Sequence, residues 1–345
     1  MSDSPDTTAA ARLAVVNLVF GSMSAQVVAA CVKLGVADAL DGAERSVGQV
    51  AAACGTPTDT MHRLLRAATA IGLVAEPGPG RFALTEAGML LRSTGPGSLS
   101  AFARVFTDPV MLTAWHRLDD AVRTGRTTFE QAFGVEFFDH LKAEPELGAA
   151  FNTAMSQGTH VTAAVLPGAY DFGRFAAIAD VGGGDGTLLA AILGRHENLR
   201  GVLFDTAEGS ARAGDVFAAA GLAGRCEIRT GDFFGSVPGG VDAIVLKSVL
   251  HDWDDERATT ILRNCREALP DDGRLLVVEP VLPEAVADVV APVIYLSDLN
   301  MLVNLGGKER TRDEFEVLLR GAGFAVEDVV PLPPSGFCLV EAVAA

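Results

Sequence analysis

The sequence predicts an α/β chain in two parts: a doubly wound sheet in the C-terminal half, behind a mainly helical N-terminal region. Three observations predict it. Residues 178–186 read Ile-Ala-Asp-Val-Gly-Gly-Gly-Asp-Gly, an apolar strand running into a glycine-rich turn. From Ile178 onward, short apolar strands alternate with helical segments, the rhythm of strand–helix–strand units. Before that point the alternation is missing, and apolar residues recur at three- and four-residue spacing. At 345 residues the chain is long for one domain, so more than one is expected. The composition divides it into 1–97, a helical segment over 98–167, and the α/β part over 168–345.

Residues 11–40 read as helix through Leu13, Val16, Val19, Phe20, Val27, Val28, Cys31, Leu34 and Leu40, with Gly21 and Gly35 expected to divide the run. Lys33 is the only charge between Arg12 and Asp38. A helix apolar on most sides must be covered, here by a second subunit or a second domain. Ser46 is placed to cap a helix over Val47–Cys54, Gly55–Thr58 is a turn, and a second helix follows to Ile71. Leu73–Ala75 and Arg81–Leu84 then flank Gly78-Pro79-Gly80 as a hairpin. Helix–turn–helix plus hairpin is a winged-helix frame. DNA is a poor partner for it, because the chain carries a net charge of −17 and repels phosphates and anionic membranes alike. The frame therefore reads as a dimerisation module. From Ser98 to Pro167 there is no strand pattern. Phe102, Phe106, Trp115, Phe129, Phe133, Phe137, Phe138 and Phe151 supply core, with some left to line a pocket for a flat molecule.

The start, Met1 to Ala11, lacks the charged and apolar regions of a secretory signal. No apolar run reads as approaching the roughly 20 residues of a membrane span, so a cytoplasmic protein is expected. The five cysteines are scattered without a CxxC pair, which suggests neither a disulfide framework nor a metal site.

In the C-terminal part the expected strands are 178–181, 201–205, 225–229, 242–247, 273–279, 324–329 and 337–342. Ligands of such sheets bind at the carboxyl ends of the strands. The glycines at 182, 184 and 186 make GxGxG, and Thr187 stands where a dinucleotide fingerprint needs glycine. A nicotinamide dehydrogenase is disfavoured on that ground. The turn suits a nucleoside without a pyrophosphate, with S-adenosylmethionine (SAM) the obvious candidate. Asp205, ending the second strand, offers two acceptor oxygens to ribose hydroxyls. Asp232 follows the third strand and suits an adenine amino group, with Phe233 packing on the ring. Lys247, one of four lysines, ends the fourth strand. His251 lies just beyond, where an imidazole can take a proton near neutral pH. Glu279 and Glu309 are candidates to fix its tautomer.

On these motifs the chain resembles the SAM-dependent O-methyltransferases of the plant caffeic acid type and their bacterial antibiotic-tailoring relatives. The matching stretches are Asp180–Gly186, Phe204-Asp205, Gly231–Phe234, Leu246-Lys247 with Leu250–Trp253, Glu279-Pro280 with Leu282-Pro283, and Gly306–Thr311. The resemblance implies a Rossmann-like methyltransferase domain, an N-terminal dimerisation domain, a homodimer and SAM as cofactor. It implies Gly182, Asp205, Asp232, Phe233 and Lys247 as SAM contacts, with Gly184, Thr206, Gly231 and Ser248 beside them. His251 is implied as the base, oriented by Glu279 and Glu309, with Asp252 adjoining. Asn152, Met155, Asp298, Asn300, Met301 and Asn304 fall in segments that line the acceptor site of relatives. The expected acceptor is an aromatic hydroxyl compound, with no metal required. The alternatives are a relative drifted to non-methylating chemistry and a non-catalytic winged-helix ligand sensor.

Overall fold

The computed structural model describes residues 5–95, 97–286 and 292–345, with side chains from residue 9. Residues 1–4 of the polar start lie outside it. Two compact units divide the chain, Met1–Leu112 and Thr113–Ala345, so the segment read as 98–167 is shared between them.

In the first unit a single helix runs Pro5–Lys33, straight through Gly21. Gly21 does not divide it, because one glycine costs a helix only about 1 kcal/mol, which a long apolar run absorbs. Gly35 does divide the run, at φ 68°, and a short helix Val36–Leu40 follows it. The uninterrupted stretch Ala9–Lys33 is 25 residues, long and apolar enough to cross a membrane by length and composition. The expectation that no run reaches that length is therefore corrected. Leu13, Val16, Val19 and Phe20 are exposed, and Leu18 is 79% exposed, so this unit leaves an apolar face uncovered. Next comes β1 (Arg45–Ser46). Ser46 and Gln49 form a reciprocal capping box at the head of the helix Val47–Ala53. The helix Thr58–Ala70 follows, then β2 (Val74–Gly78) and β3 (Arg81–Leu84), in the order β1-β3-β2. Leu40, Val50, Met61, Leu65 and Phe82 are the centre of this core.

The second unit starts with short helices that lead into Pro145–Ala169. The strands are β4 (Ala177–Val181), β5 (Arg200–Asp205), β6 (Cys226–Thr230), β7 (Ala243–Lys247), β8 (Arg274–Glu279), β9 (Val281–Leu282), β10 (Arg310–Thr311), β11 (Phe324–Leu332) and β12 (Phe337–Ala344). All seven expected strands form. The large sheet has the order β11-β12-β8-β7-β4-β5-β6. Five strands are parallel, and β11 and β12 pair antiparallel at one edge. Buried apolar clusters cover both faces, which is what continuous apolar strands such as Leu275-Leu276-Val277-Val278 require. Strand order reverses between β4 and β7, so their carboxyl ends flank the crevice where doubly wound sheets take ligands. The glycine turn leaves β4 there, and Lys247 ends β7.

Candidate active site

The glycine turn is braced on one side and open on the other. A Cβ at Gly182 (φ 72°) would lie 2.7 Å from Val249 Cγ2, one at Gly183 would lie 2.6 Å from the Asp180 carboxyl carbon, and one at Gly186 would lie 2.5 Å from the Phe217 ring. Gly184 (φ 58°) has nothing within 4 Å of its Cβ position. Three glycines thus let the turn pack down, and Gly184 presents backbone to open space. Val249 stands two residues before His251, so the turn and the histidine loop pack together. Gly182→Ala should therefore destabilise the fold by about 1–3 kcal/mol, from a left-handed backbone plus a steric clash. Denaturant unfolding of the variant measures this.

Asp205 is held for binding. Its Oδ2 accepts from the Gly184 N–H at 2.8 Å, and Oδ1 accepts from the Thr206 N–H at 2.6 Å and its hydroxyl at 3.2 Å. Thr206 is committed to this loop, since its hydroxyl also accepts from the Gly209 N–H. Burial pushes the Asp205 pKa up, against those hydrogen bonds. Two glycines make room: a Cβ at Gly209 would fall 2.1 Å from Asp205 Oδ1, and one at Gly231 would fall 2.6 Å from the Phe204 ring. Gly231 also donates its N–H to the Asp205 carbonyl. Asp232 is exposed and accepts from the Phe234 N–H, while the Phe233 ring is half-buried against Phe234 and Trp253.

Lys247 is partly buried at the end of β7. Its ammonium donates to Thr159 Oγ1 at 3.1 Å and sits 5.2 Å from the Phe337 ring centre. Burial lowers its pKa to about 8, against the opposing pull of Asp180, Asp252 and Glu279. Asp180 is 1% exposed, and neither carboxylate oxygen has a well-formed hydrogen bond. Burial and the nearby Asp205 raise its pKa to about 7. Ser248 takes the left-handed φ of 54°, a strained choice for serine at the junction between Lys247 and the histidine loop. Sequence reasoning singled out Asn152 but missed the rest of a polar stripe, Ser156 and Thr159, on the helix Pro145–Ala169. Asn152 donates to the Glu208 carbonyl, Ser156 pairs with Thr187, and Thr159 accepts from Lys247. The signal was there: three polar residues at helical spacing on a largely apolar helix.

His251 sits in a 3-10 turn, Leu250–Asp252. Its Nδ1 lies 3.1 Å from Glu309 Oε1, which also accepts from the Ser297 hydroxyl at 2.8 Å. With the Glu309 Oε1 acceptor facing it, Nδ1 is assigned the proton, which leaves the lone pair of the neutral ring on Nε2. Asp252 Oδ1 lies 3.5 Å from Nε2, too long for a well-formed hydrogen bond. Glu279 does not reach the ring. Its Oε1 instead accepts the backbone N–H groups of Val249, Leu250 and His251, at 3.1, 2.7 and 3.2 Å. The expected pair of orienting carboxylates is corrected to one on the ring and one under its backbone. The reason is position: Glu279 ends β8, level with the orphan donors at the start of the turn. Burial alone would lower the His251 pKa. The charges of Asp252, Glu309 and Glu279 outweigh it and hold the pKa at about 10. Burial raises Asp252 to about 7.

The residues expected to line an acceptor site are scattered in role. Asp298 accepts from the Glu309 backbone N–H, and so supports the loop that carries Glu309. Asn300 and Asn304 are buried and bonded to each other, and Asn300 Oδ1 also accepts from Trp115 Nε1. The indole N–H can only donate, so it fixes which way both amides point. Met301 opens a π-helical turn, Met301–Leu305. Met155 is half-buried.

A cationic nucleoside cofactor fits these residues. The turn is open at Gly184, a partly buried ammonium has spare donors, and Asp180 and Glu309 keep buried oxygens without well-formed hydrogen bonds. The fold and the site together define a methyltransferase. The O-methyltransferase domain model matches residues 115–325, and the O-methyltransferase dimerisation domain model matches residues 16–94. The O-demethylpuromycin-O-methyltransferase of Streptomyces alboniger is 43% identical over 95% of this chain and 88% of its own length. A solved mitomycin 7-O-methyltransferase superposes with a TM-score of 0.90 at 34% identity, covering 99% of this chain and 100% of that one. An O-methyltransferase from neocarzinostatin biosynthesis, solved with SAM and 2-hydroxy-5-methyl naphthoic acid, superposes with a TM-score of 0.77 at 34% identity, covering 93% and 96%. The chain belongs to the SAM-dependent O-methyltransferases. It is an enzyme with SAM as its cofactor, and its dimerisation domain supports formation of a homodimer.

Proposed function

We propose that this enzyme methylates a hydroxyl of an aromatic small molecule in secondary metabolism, in the cytoplasm, with His251 as the general base. The observation that carries the reading is the His251 ring, bonded through Nδ1 to buried Glu309, with Nε2 left free of a well-formed hydrogen bond. The relatives support the acceptor class, since the neocarzinostatin enzyme was solved with a hydroxylated naphthoic acid.

SAM would supply an electrophilic methyl group on a sulfonium, and would leave as the neutral thioether S-adenosylhomocysteine as its S–CH3 bond breaks. The chain's own residues do the rest. In this reading Asp205 holds the ribose hydroxyls, Asp232 and Phe233 the adenine, and Lys247 and the Gly182–Gly184 turn the remaining polar groups. Thr206, Gly231 and Ser248 shape the loops around them. The residues Asn152, Met155, Asp298, Asn300, Met301 and Asn304 shape or support the acceptor side. His251 Nε2 takes the acceptor proton as its oxygen forms the new C–O bond. Glu309 stabilises the imidazolium that results. A phenol has a pKa near 10, close to the value of about 10 for His251, so proton transfer between them is nearly thermoneutral.

The same number sets a pH dependence. At pH 7 about one ring in a thousand is neutral in the free site. Raising the pH removes the proton that blocks the base, so kcat/KM rises from neutral pH toward 10. An ordinary histidine would level off above about pH 7.5. The measurement is a pH profile with His251→Ala alongside, whose residual rate carries only the acceptor's ionisation. A wild-type profile that is flat above pH 7.5 contradicts the raised pKa, while full turnover in His251→Ala contradicts the base role itself. The function itself is tested with labelled SAM and a panel of hydroxylated aromatics, with transfer to oxygen read by mass. Intact SAM binding with no transfer to any of them would favour drifted chemistry.

A further inference from the structure

Arg310 is the largest fully buried side chain among the described residues, at 0% exposure, and the proton-transfer reading gives it no task. Its contacts are specific. Nη1 donates to the Leu250 carbonyl at 2.9 Å, and Nη2 donates to the Trp253 carbonyl at 2.9 Å. Nη2 and Nε both donate to Asp255 Oδ1, at 2.8 and 3.1 Å. The two carbonyls bracket His251 and Asp252. The N–H groups of the same turn converge on Glu279. A buried carboxylate therefore gathers three of the donors of this five-residue loop, and a buried guanidinium gathers two of its acceptors.

The backbone of Arg310 is also tied down. It pairs with Val281 in the short parallel ladder, two residues beyond Glu279. Its neighbour Glu309 reaches the His251 ring. Three residues before it, the chain crosses the histidine turn so closely that a Cβ at Gly307 would lie 2.0 Å from the His251 carbonyl oxygen. Adjacent residues thus grip one turn in two ways, Glu309 by the ring and Arg310 by the backbone.

We propose that Arg310 is a positioning residue for methyl transfer: its guanidinium fixes the turn carrying His251 against the segment that carries Glu309 into β10, and so sets the ring's alignment. The inference rests on His251 as the base. A guanidinium suits the task because its planar fork bridges two carbonyls and a carboxylate at once. The ammonium of lysine keeps the charge without that geometry.

The test is Arg310→Lys, assayed as the folded dimer. The expected result is a kcat lowered about 10–100-fold, the scale of a small misplacement of a reacting group. Acceptor KM and SAM affinity stay within about threefold. The rise of kcat/KM with pH shifts to lower pH, because a loosened Glu309 supports the imidazolium less. Wild-type kcat, or a lowered kcat with an unmoved pH profile, overturns the proposal. If Arg310→Lys does not fold, Asp255→Asn decides. It weakens the hold on Arg310 from a carboxylate whose side chain is 61% exposed, and the expected effect is a severalfold kcat loss with the same pH shift. An unchanged Asp255→Asn enzyme is equally fatal. His251→Ala is run in parallel. If it keeps full turnover, the base assignment falls and this inference with it. If it is inactive while Arg310→Lys behaves as wild type, only the role of Arg310 falls.

Discussion

His251→Ala is expected to lower the rate of methyl transfer by about 10²–10⁴-fold, the usual contribution of a positioned general base. That corresponds to about 3–5 kcal/mol of barrier. SAM affinity should stay unchanged, because His251 is not among the residues assigned to the cofactor and its imidazole is committed to Glu309. The informative comparison is with Glu309→Gln. That variant keeps the shape and a hydrogen-bond acceptor but removes the charge that stabilises the imidazolium. It should show a smaller loss and a His251 pKa moved down toward its ordinary value. Single-turnover rates with isothermal titration of SAM separate chemistry from binding. His251→Ala with near-wild-type turnover would reject the base.

Asp205→Ala is expected to act on the other axis. A carboxylate holding two hydroxyls makes hydrogen bonds of about 1.5–3 kcal/mol each, so SAM affinity should fall by about 10²-fold or more. The loss is compounded because Gly184 and Thr206 lose the acceptor of their N–H groups. At saturating SAM, kcat should recover most of its wild-type value. Asp205→Asn, which keeps one acceptor oxygen, should fall between the two. An unchanged SAM titration for Asp205→Ala would remove the ribose assignment.

Much of the fold was legible because the strands are short, apolar and bounded. All seven expected strands of the large sheet formed within a few residues of their predicted limits. Gly35, Ser46 and the 78–80 turn were readable because each has one local job. Gly21 was not, because a glycine in a helix has no signature separating a break from a tolerated defect. That misreading also hid the length of the apolar helix Ala9–Lys33.

In the site, the motifs located the right loops, while the division of labour inside them depends on three-dimensional placement. Glu279, at the end of a strand, and Glu309, in the Gly306–Thr311 stretch, look equivalent as carboxylates able to reach the ring. Only the level at which β8 ends puts Glu279 under the backbone of the turn. Asp180 was read as part of a strand, and its buried oxygens without well-formed hydrogen bonds mark it as more. Gly209 drew no reading from the sequence, and Gly307 stood only as part of the Gly306–Thr311 stretch. The contacts that forbid a side chain there, with Asp205 and with the His251 turn, join segments distant in sequence for Gly307 and fold a tight loop back for Gly209.

The most direct measurement is a crystal structure of the enzyme with S-adenosylhomocysteine and a hydroxylated aromatic acceptor. The account predicts the acceptor oxygen within about 2.6–3.2 Å of His251 Nε2, with Nδ1 still on Glu309 and the cofactor sulfur on the far side of that oxygen. An acceptor oxygen bound away from the ring, or a ring turned so that Nε2 faces protein instead of acceptor, would contradict it.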